Sequence, residues 1–326
     1  MKKYLTIVGT RPQIIKLDKD FKQTLVYVGQ HYDKNLKDKF FTGLHLKKPD
    51  YDLGKTELGS MIDAIINVIK KEKPDYVIVY GDCRSTLAGA VAAYYENIPV
   101  IHIEAGCRCG NMKMIEERIR ILVDEIASVH FTPSELTKKR LEENYNIAVF
   151  NVGATQLDTM FSTFPTKKPK DAYKYQVLTI HRDFNATVER LKAITDGLSH
   201  SKHIIRFYAH PRLQGLLKGL KLPKNIKILK PIPYKKMINE IAFAEKVITD
   251  SGGLQVEAFF LRRPCLTLRD ETEWEETVDS GWNKLVGADT VLIKRWINET
   301  WRGRADMEVY GKGEAKKKIR LLLENL

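Results

Sequence analysis

Tyr76-Val77-Ile78-Val79-Tyr80-Gly81-Asp82 decides the fold class of this chain. An unbroken apolar run this short lacks the alternation of a half-buried strand, so it reads as a strand covered on both faces, as in a parallel sheet. Before it, Met61, Ile65, Val68 and Ile69 recur at helical spacing and stop at Lys73-Pro74-Asp75. After it, a helical stretch over 87–95 leads to a strand over 99–103 that ends at Glu104-Ala105-Gly106. Working outward, strand 4–8 closes on Gly9-Thr10-Arg11-Pro12 and strand 24–28 on Gly29-Gln30-His31, while helix 115–128 and strand 129–132 complete the first half. The second half restarts the pattern, with strands at 176–180, 204–209, 226–229 and 246–249 and helices at 188–198 and 234–244. Such alternation implies right-handed βαβ units and a mostly parallel sheet, twice over. The fold class expected is α/β, in two domains with a central cleft.

The chain has 326 residues, enough for two cores of ~150 residues each. Hydrophobic residues make up 43% and charged residues 29%, the profile of a soluble globular protein. No apolar run reaches the ~18 residues that cross a bilayer. The first residues mimic a signal peptide, but the apolar stretch is short and Arg11 and Lys16 follow it, so the expected location is cytoplasmic, with no membrane partner. Cys83, Cys107, Cys109 and Cys265 have neither zinc-ribbon nor disulfide-framework spacing and read as free thiols; no metal site is expected. Lys plus Arg exceed Asp plus Glu by 54 − 41 = 13, which suits an anionic partner. No nucleic-acid-binding motif accompanies that excess, so no nucleic acid is expected. Residues 163–170, with two prolines and a charge cluster, read as a linker.

Ligands of open α/β sheets bind outside the carboxyl ends of the strands. Here those ends are Gly9-Thr10-Arg11, Gly29-Gln30-His31, Gly81-Asp82, Glu104-Ala105-Gly106, His181-Arg182, His210-Pro211-Arg212 and Asp250-Ser251-Gly252-Gly253. Any one could be a helix cap; together they favour a site. The glycines after Asp250-Ser251 permit close backbone approach, and a helix from about residue 254 offers free N–H groups and a positive dipole end to a phosphate. The competing reading is a plain Asp or Ser cap. Glu257 on that helix suits ribose hydroxyls, and Arg11 suits the same diphosphate from the other domain. GxGxxG and Walker A spacings are absent. Asp82, Glu104, Glu116 and Glu117 are carboxylates in one domain that the cleft could bring near His181 for acid–base work. Glu116-Glu117 with Arg118 and Arg120, taken alone, reads more readily as an exposed, ion-paired helix face.

At these residues the chain resembles the UDP-N-acetylglucosamine 2-epimerase family. The matching stretches are Gly9-Thr-Arg-Pro-Gln-Ile-Ile-Lys16, Gly29-Gln-His31, Gly81-Asp-Cys-Arg-Ser-Thr-Leu-Ala88, His102-Ile-Glu-Ala-Gly-Cys-Arg108 and Glu116-Glu-Arg-Ile-Arg120. His181-Arg-Asp-Phe-Asn185, His210-Pro211 and Thr249-Asp-Ser-Gly-Gly-Leu-Gln-Val-Glu-Ala258 follow in family order. The resemblance implies a GT-B-like fold of two Rossmann-like domains, usually a homodimer, and no cofactor. Residues 1–160 would carry the catalytic carboxylates, 161–305 would bind UDP, and 306–326 would form a helix packing back on the N-terminal domain. The implied reaction inverts carbon 2 of the UDP-sugar by eliminating UDP to a 2-acetamidoglucal and adding it back. Asp82, Glu104, Glu116 and His181 take the catalytic roles by this resemblance. Arg11, Lys16, Arg120, His210, Met237, Ser251, Gly252, Gly253 and Glu257 take the substrate-binding ones. Gln30 and His31 match an allosteric region of bacterial relatives.

The chain departs from the family pattern at Gln13 and Phe184, where glutamates are usual, at Ile115 and Ile119, and at Trp274-Glu275 in place of Arg-Pro. Other readings stay open at this point: a hydrolysing 2-epimerase, a glycosyltransferase with an external acceptor, or a silent UDP-sugar-binding or nucleic-acid-binding protein.

Overall fold

The computed structural model describes residues 2–29, 41–145, 147–164, 168–304 and 308–326. The chain divides into two compact units, Met1–Ser162 with Glu308–Leu326, and Thr163–Met307. Residues 165–167 of the expected linker, and Gln30 and His31, lie outside the described residues.

Among its described residues the first unit holds seven strands: β1 (Tyr4–Val8), β2 (Thr24–Tyr27), β3 (Tyr51–Asp52), β4 (Tyr76–Tyr80), β5 (Val100–Ile103), β6 (Val129–Thr132) and β7 (Ala148–Asn151). They lie in the order β3-β2-β1-β4-β5-β6-β7, every pair parallel. Alternate residues feed two cores. Leu5, Ile7, Val77 and Val79 face one side, against Met61, Ile65 and Ile69 of helix Leu58–Glu72 and Ile119 and Val123 of helix Ile115–Ile126. Tyr4, Val8, Ile78 and Tyr80 face the other, against Ile14, Ile319 and Leu323. All five residues of β1 are buried, as a strand covered on both faces requires.

The second unit repeats the plan with β8 (Tyr175–Thr179), β9 (Ile204–Tyr208), β10 (Ile226–Leu229), β11 (Lys246–Thr249), β12 (Cys265–Thr267) and β13 (Asn283–Leu285). Their order is β10-β9-β8-β11-β12-β13, again all parallel. In each sheet the strand order reverses once, between β1 and β4 and between β8 and β11, so crossovers leave in opposite directions and open a crevice at the strands' carboxyl ends. Among the described residues no helix is long and apolar enough to cross a membrane.

Two helices begin earlier than their apolar pattern indicates. Helix Arg84–Tyr95 starts three residues before Leu87, because the Thr86 hydroxyl accepts from the Cys83 amide and donates to the Tyr80 carbonyl. Helix Gly252–Phe260 starts at the first glycine, because the Ser251 hydroxyl accepts from the Leu254 amide as an N-cap. Helix Ala315–Glu324 returns to the first unit. Its backbone amides at Ala315 and Lys316 donate to Asp158, and Arg320 pairs with Asp18 at 2.5 Å. Half-buried Lys316 donates to the Leu17 carbonyl at 2.7 Å and to Thr159 Oγ1 at 2.6 Å, capping the end of helix Arg11–Lys16.

Candidate active site

At the reversal of the first sheet, the end of β1 is tied to the end of β4 through one side chain. Buried Gln13 accepts at Oε1 from the Gly9 amide (2.8 Å), the Thr10 amide (3.0 Å) and the Ser85 hydroxyl (2.8 Å). Its amide donates to the Tyr80 carbonyl and to Thr86 Oγ1, both at 3.0 Å. An ionised glutamate could accept the first three bonds but not donate to the Tyr80 carbonyl, so the neutral amide suits this position.

Around this hub stand two ion pairs. Lys16 Nζ lies 2.6 Å from Glu104 Oε2, with both side chains 8% exposed. Burial alone would lower the Lys16 ammonium, but the charge and hydrogen bond of Glu104, helped by Asp82, outweigh it and hold the group above its ordinary value. Asp82 pairs with the buried Arg120 guanidinium. A Cβ built on Gly81 would lie 3.3 Å from Glu104 Oε1 and 3.6 Å from Lys16 Nζ, so the Lys16–Glu104 pair packs against the residue that precedes Asp82. Gly81 and Glu104 both have positive φ, 62° and 69°. Glycine takes that conformation freely; for Glu104 it is a strained backbone at a candidate site.

Helix Ile115–Ile126 supplies more than Arg120. Glu117, Arg120 and Asp124 share one face at helical spacing, all buried. This replaces the exposed ion-paired face that the Glu-Glu-Arg pattern also allows. Glu117 accepts from the amides of Cys109 (2.9 Å) and Gly110 (3.0 Å) and stands 3.4 Å from Arg120. Glu116, half-buried on the first turn, belongs to neither the Asp82–Arg120 nor the Lys16–Glu104 pair. Asp124 Oδ1 lies 2.6 Å from His102 Nδ1, and Oδ2 lies 2.6 Å from Arg108 and 3.2 Å from the Gly106 amide. Burial alone would raise the Asp124 carboxyl; the charge and hydrogen bond of His102, with Arg108, bring it down to about 2.

The second unit gathers its own cluster at the reversal between β8 and β11. Asp250, fully buried, accepts from the backbone amides of His181 (3.0 Å) and Arg182 (3.0 Å) and from Asn185 Nδ2 (3.1 Å). It also holds His181 Nδ1 at 2.8 Å. Burial would raise its carboxyl, but the His181 charge and these hydrogen bonds pull it below its ordinary value. The His181 side chain, 38% exposed, thus keeps its Nε2 for other partners. Exposed His210 accepts at Nδ1 from Arg212, which leaves Nε2–H to donate. Ser251, Gly252 and Gly253 form the mouth of helix Gly252–Phe260; the Ser251 amide donates to Thr249 Oγ1 at 3.0 Å, and those of Gly252 and Gly253 suit an anion. Glu273 and Trp274 close over Gly252: a Cβ there would collide with the Glu273 carboxylate and come within 3.1 Å of Trp274 Nε1. Glu273 is itself paired with buried Arg269 at 2.8 Å. Glu257 lies buried on the second turn of the same helix and Met237 buried on helix Tyr234–Ala242, while Arg11 is half-buried after β1.

The structure therefore brings Lys16, Asp82, Glu104 and Arg120 together in one unit, and His181, Ser251, Gly252 and Gly253 at one sheet reversal in the other. His102 and Asp124 escape a reading based on strand ends. Their signal is a histidine inside an otherwise apolar strand and an aspartate one helical turn beyond Arg120.

A family model for UDP-N-acetylglucosamine 2-epimerase matches residues 13–324. The chain is 37% identical to a UDP-N-acetylglucosamine 2-epimerase homolog of Methanococcus maripaludis, covering 99% of this chain and all of the relative. It is also 37% identical, over the same shares, to UDP-2,3-diacetamido-2,3-dideoxy-D-glucuronate 2-epimerase of Pseudomonas aeruginosa. The crystal structure of Methanocaldococcus jannaschii UDP-GlcNAc 2-epimerase in complex with UDP-GlcNAc and UDP superposes with a TM-score of 0.90 at 35% identity, covering 99% of this chain and all of that one. With nearly its whole length matched, and with its acidic and anion-suited clusters at the two sheet reversals, the chain belongs to the UDP-N-acetylglucosamine 2-epimerase family.

Proposed function

We propose that this protein inverts carbon 2 of UDP-N-acetylglucosamine, giving UDP-N-acetylmannosamine by elimination and re-addition of UDP. The carrying observation is the pair of carboxylates, Asp82 and Glu104, each held by a buried cation at neighbouring strand ends. In this reading one carboxylate takes the proton from carbon 2 while the bond from carbon 1 to the UDP oxygen breaks, leaving a carbon 1–carbon 2 double bond. A proton then reaches carbon 2 on the opposite face and UDP adds back at carbon 1. Glu116 serves as the further acid–base group. In the second unit, the Ser251 hydroxyl and the amides of Gly252 and Gly253, with His210 and His181, take the departing diphosphate, where dipolar and cationic support lowers the barrier. Met237 lies by the uracil and Glu257 accepts from the ribose, while Arg11 is the first unit's further cation for the substrate. The protein works as a cytoplasmic homodimer in cell-surface polysaccharide biosynthesis, with no nucleic-acid partner.

A second sugar is favoured by the end-to-end match to the 2-epimerase of a diacetamido uronate, which equals that of the N-acetylglucosamine homolog. Both substrates would be incubated in deuterated water. Deuterium at carbon 2 together with the manno product supports epimerisation, and the faster substrate names the sugar. Free N-acetylmannosamine and accumulating UDP would replace this reading with the hydrolysing one, and no exchange on either substrate would end it.

A further inference from the structure

We propose that His102 and Asp124 form a positioning pair that fixes the backbone carrying Asp82 and Glu104, working through the Gly81 carbonyl and the Gly106 amide. The proposal rests on reading those two carboxylates as catalytic.

His102 sits third in β5, fully buried, in a strand whose other members are Val100, Ile101 and Ile103. A polar ring there costs stability unless both nitrogens are used. They are: Nδ1 meets Asp124 Oδ1 at 2.6 Å and Nε2 meets the Gly81 carbonyl at 2.8 Å. Each ring nitrogen therefore has an oxygen partner within hydrogen-bond distance. The second contact spans from β5 to the end of β4 and holds the peptide immediately before Asp82. Gly81 has left the strand conformation at that point, with φ of 62°, so the neighbouring strand no longer pins its carbonyl side.

Asp124 completes the grip. Its second oxygen takes the Gly106 amide at 3.2 Å and Arg108 at 2.6 Å, which fastens the turn after Glu104. Glu104 lies between these fixed points with a strained φ of 69°, a conformation that persists only where its surroundings impose it. Arg120, one turn before Asp124 on helix Ile115–Ile126, holds the Asp82 carboxylate itself. One helix face therefore grips the Asp82 side chain directly and its backbone through His102. Neither His102 nor Asp124 is exposed to solvent, so their part is placement rather than contact with substrate.

The two ring contacts can be separated. The amide of Asn stands at the same remove from Cβ as Nδ1, and that of Gln at the same remove as Nε2. His102→Asn thus keeps a donor to Asp124 and loses the Gly81 tether, whereas His102→Gln keeps the tether. Full-length variants would be compared with the wild type for kcat and KM on UDP-N-acetylglucosamine, UDP affinity, melting temperature, and amide hydrogen exchange at Gly81–Cys83 and Gly106. The expected result is a kcat loss of about 100-fold for His102→Asn, the scale of a ~1 Å misplacement, and under about tenfold for His102→Gln. KM and UDP affinity stay within about twofold, as mutant kinetics confined to placement require. Exchange at Gly81–Cys83 rises in the Asn variant more than in the Gln variant. Equal kcat losses, or losses that follow melting temperature rather than the tether, overturn the proposal. Should the wild type itself not turn over, the functional reading fails separately, and equal exchange in the two variants would still refute the tether.

Discussion

Gly252 shows how little room a single residue can have. Its missing side chain is what lets Glu273 and Trp274 close over the start of helix Gly252–Phe260. The added methyl of Gly252→Ala would push against a carboxylate already committed to Arg269, which cannot yield without disturbing that buried pair. The expected cost is ~1–3 kcal/mol of stability, together with weaker UDP binding, read from the urea midpoint and from titration calorimetry. An unchanged midpoint would mean that the cap opens freely. Residues of this kind are only partly legible in a sequence. Asp82, Glu104 and the Ser-Gly-Gly turn can be picked out because they stand at strand ends, where backbone geometry leaves room for a ligand. Which of Glu116 and Glu117 turns inward cannot be read from adjacent identical letters, since it depends on the rotation of the helix against its sheet. The value of Gln13 as a hub is equally hidden, because its five partners come from three separate segments.

At the scale of elements, helix Ile115–Ile126 is a charged stripe turned into the protein. The carboxyl of Asp124 has an ordinary value of 3.8 and is held near 2 in the folded chain. A folded value below the unfolded one stabilises the native state above about pH 4, and that contribution is lost as pH falls toward 2. Asp124→Asn removes it, so the variant is less stable than wild type at pH 5 and the difference shrinks on acidification. Urea unfolding between pH 5 and 2.5 measures this; a difference constant with pH would show that the carboxylate's charge plays no part. Strands and helices with long apolar signatures were legible, β4 above all. The short strands β3, β12 and β13 carry no comparable signal, because two or three residues cannot establish a period. The order of strands is likewise set by crossovers between distant segments rather than by local pattern.

For the whole molecule, the sheets have separate cores, one on each face of the first and another around Leu178, Phe207, Ile248 and Leu266 in the second. Separate cores predict two unfolding transitions in calorimetry. The proposed diphosphate contacts of the loops after β8, β9 and β11 assign UDP chiefly to the second unit. UDP at about 100 times its dissociation constant adds ~2.7 kcal/mol and should raise that unit's transition by roughly 5–10 °C, leaving the other nearly in place. A shift of both transitions by the same amount would contradict this assignment. The excess of 54 basic over 41 acidic side chains also makes binding of the anionic ligand weaken with added salt.

Lys316 ties these scales together in time. It closes the end of helix Arg11–Lys16, and with Ile319 and Leu323 it covers β1 and β4, yet it is translated only after the entire second unit. Domains usually fold in the order in which they leave the ribosome. Here the first half must wait with one face of its sheet only partly covered, while the second half, made of one continuous stretch, can finish before it. A segment synthesised after the second unit is thus what finishes the packing of the first, and a nascent chain stalled before residue 308 would leave part of that apolar face exposed.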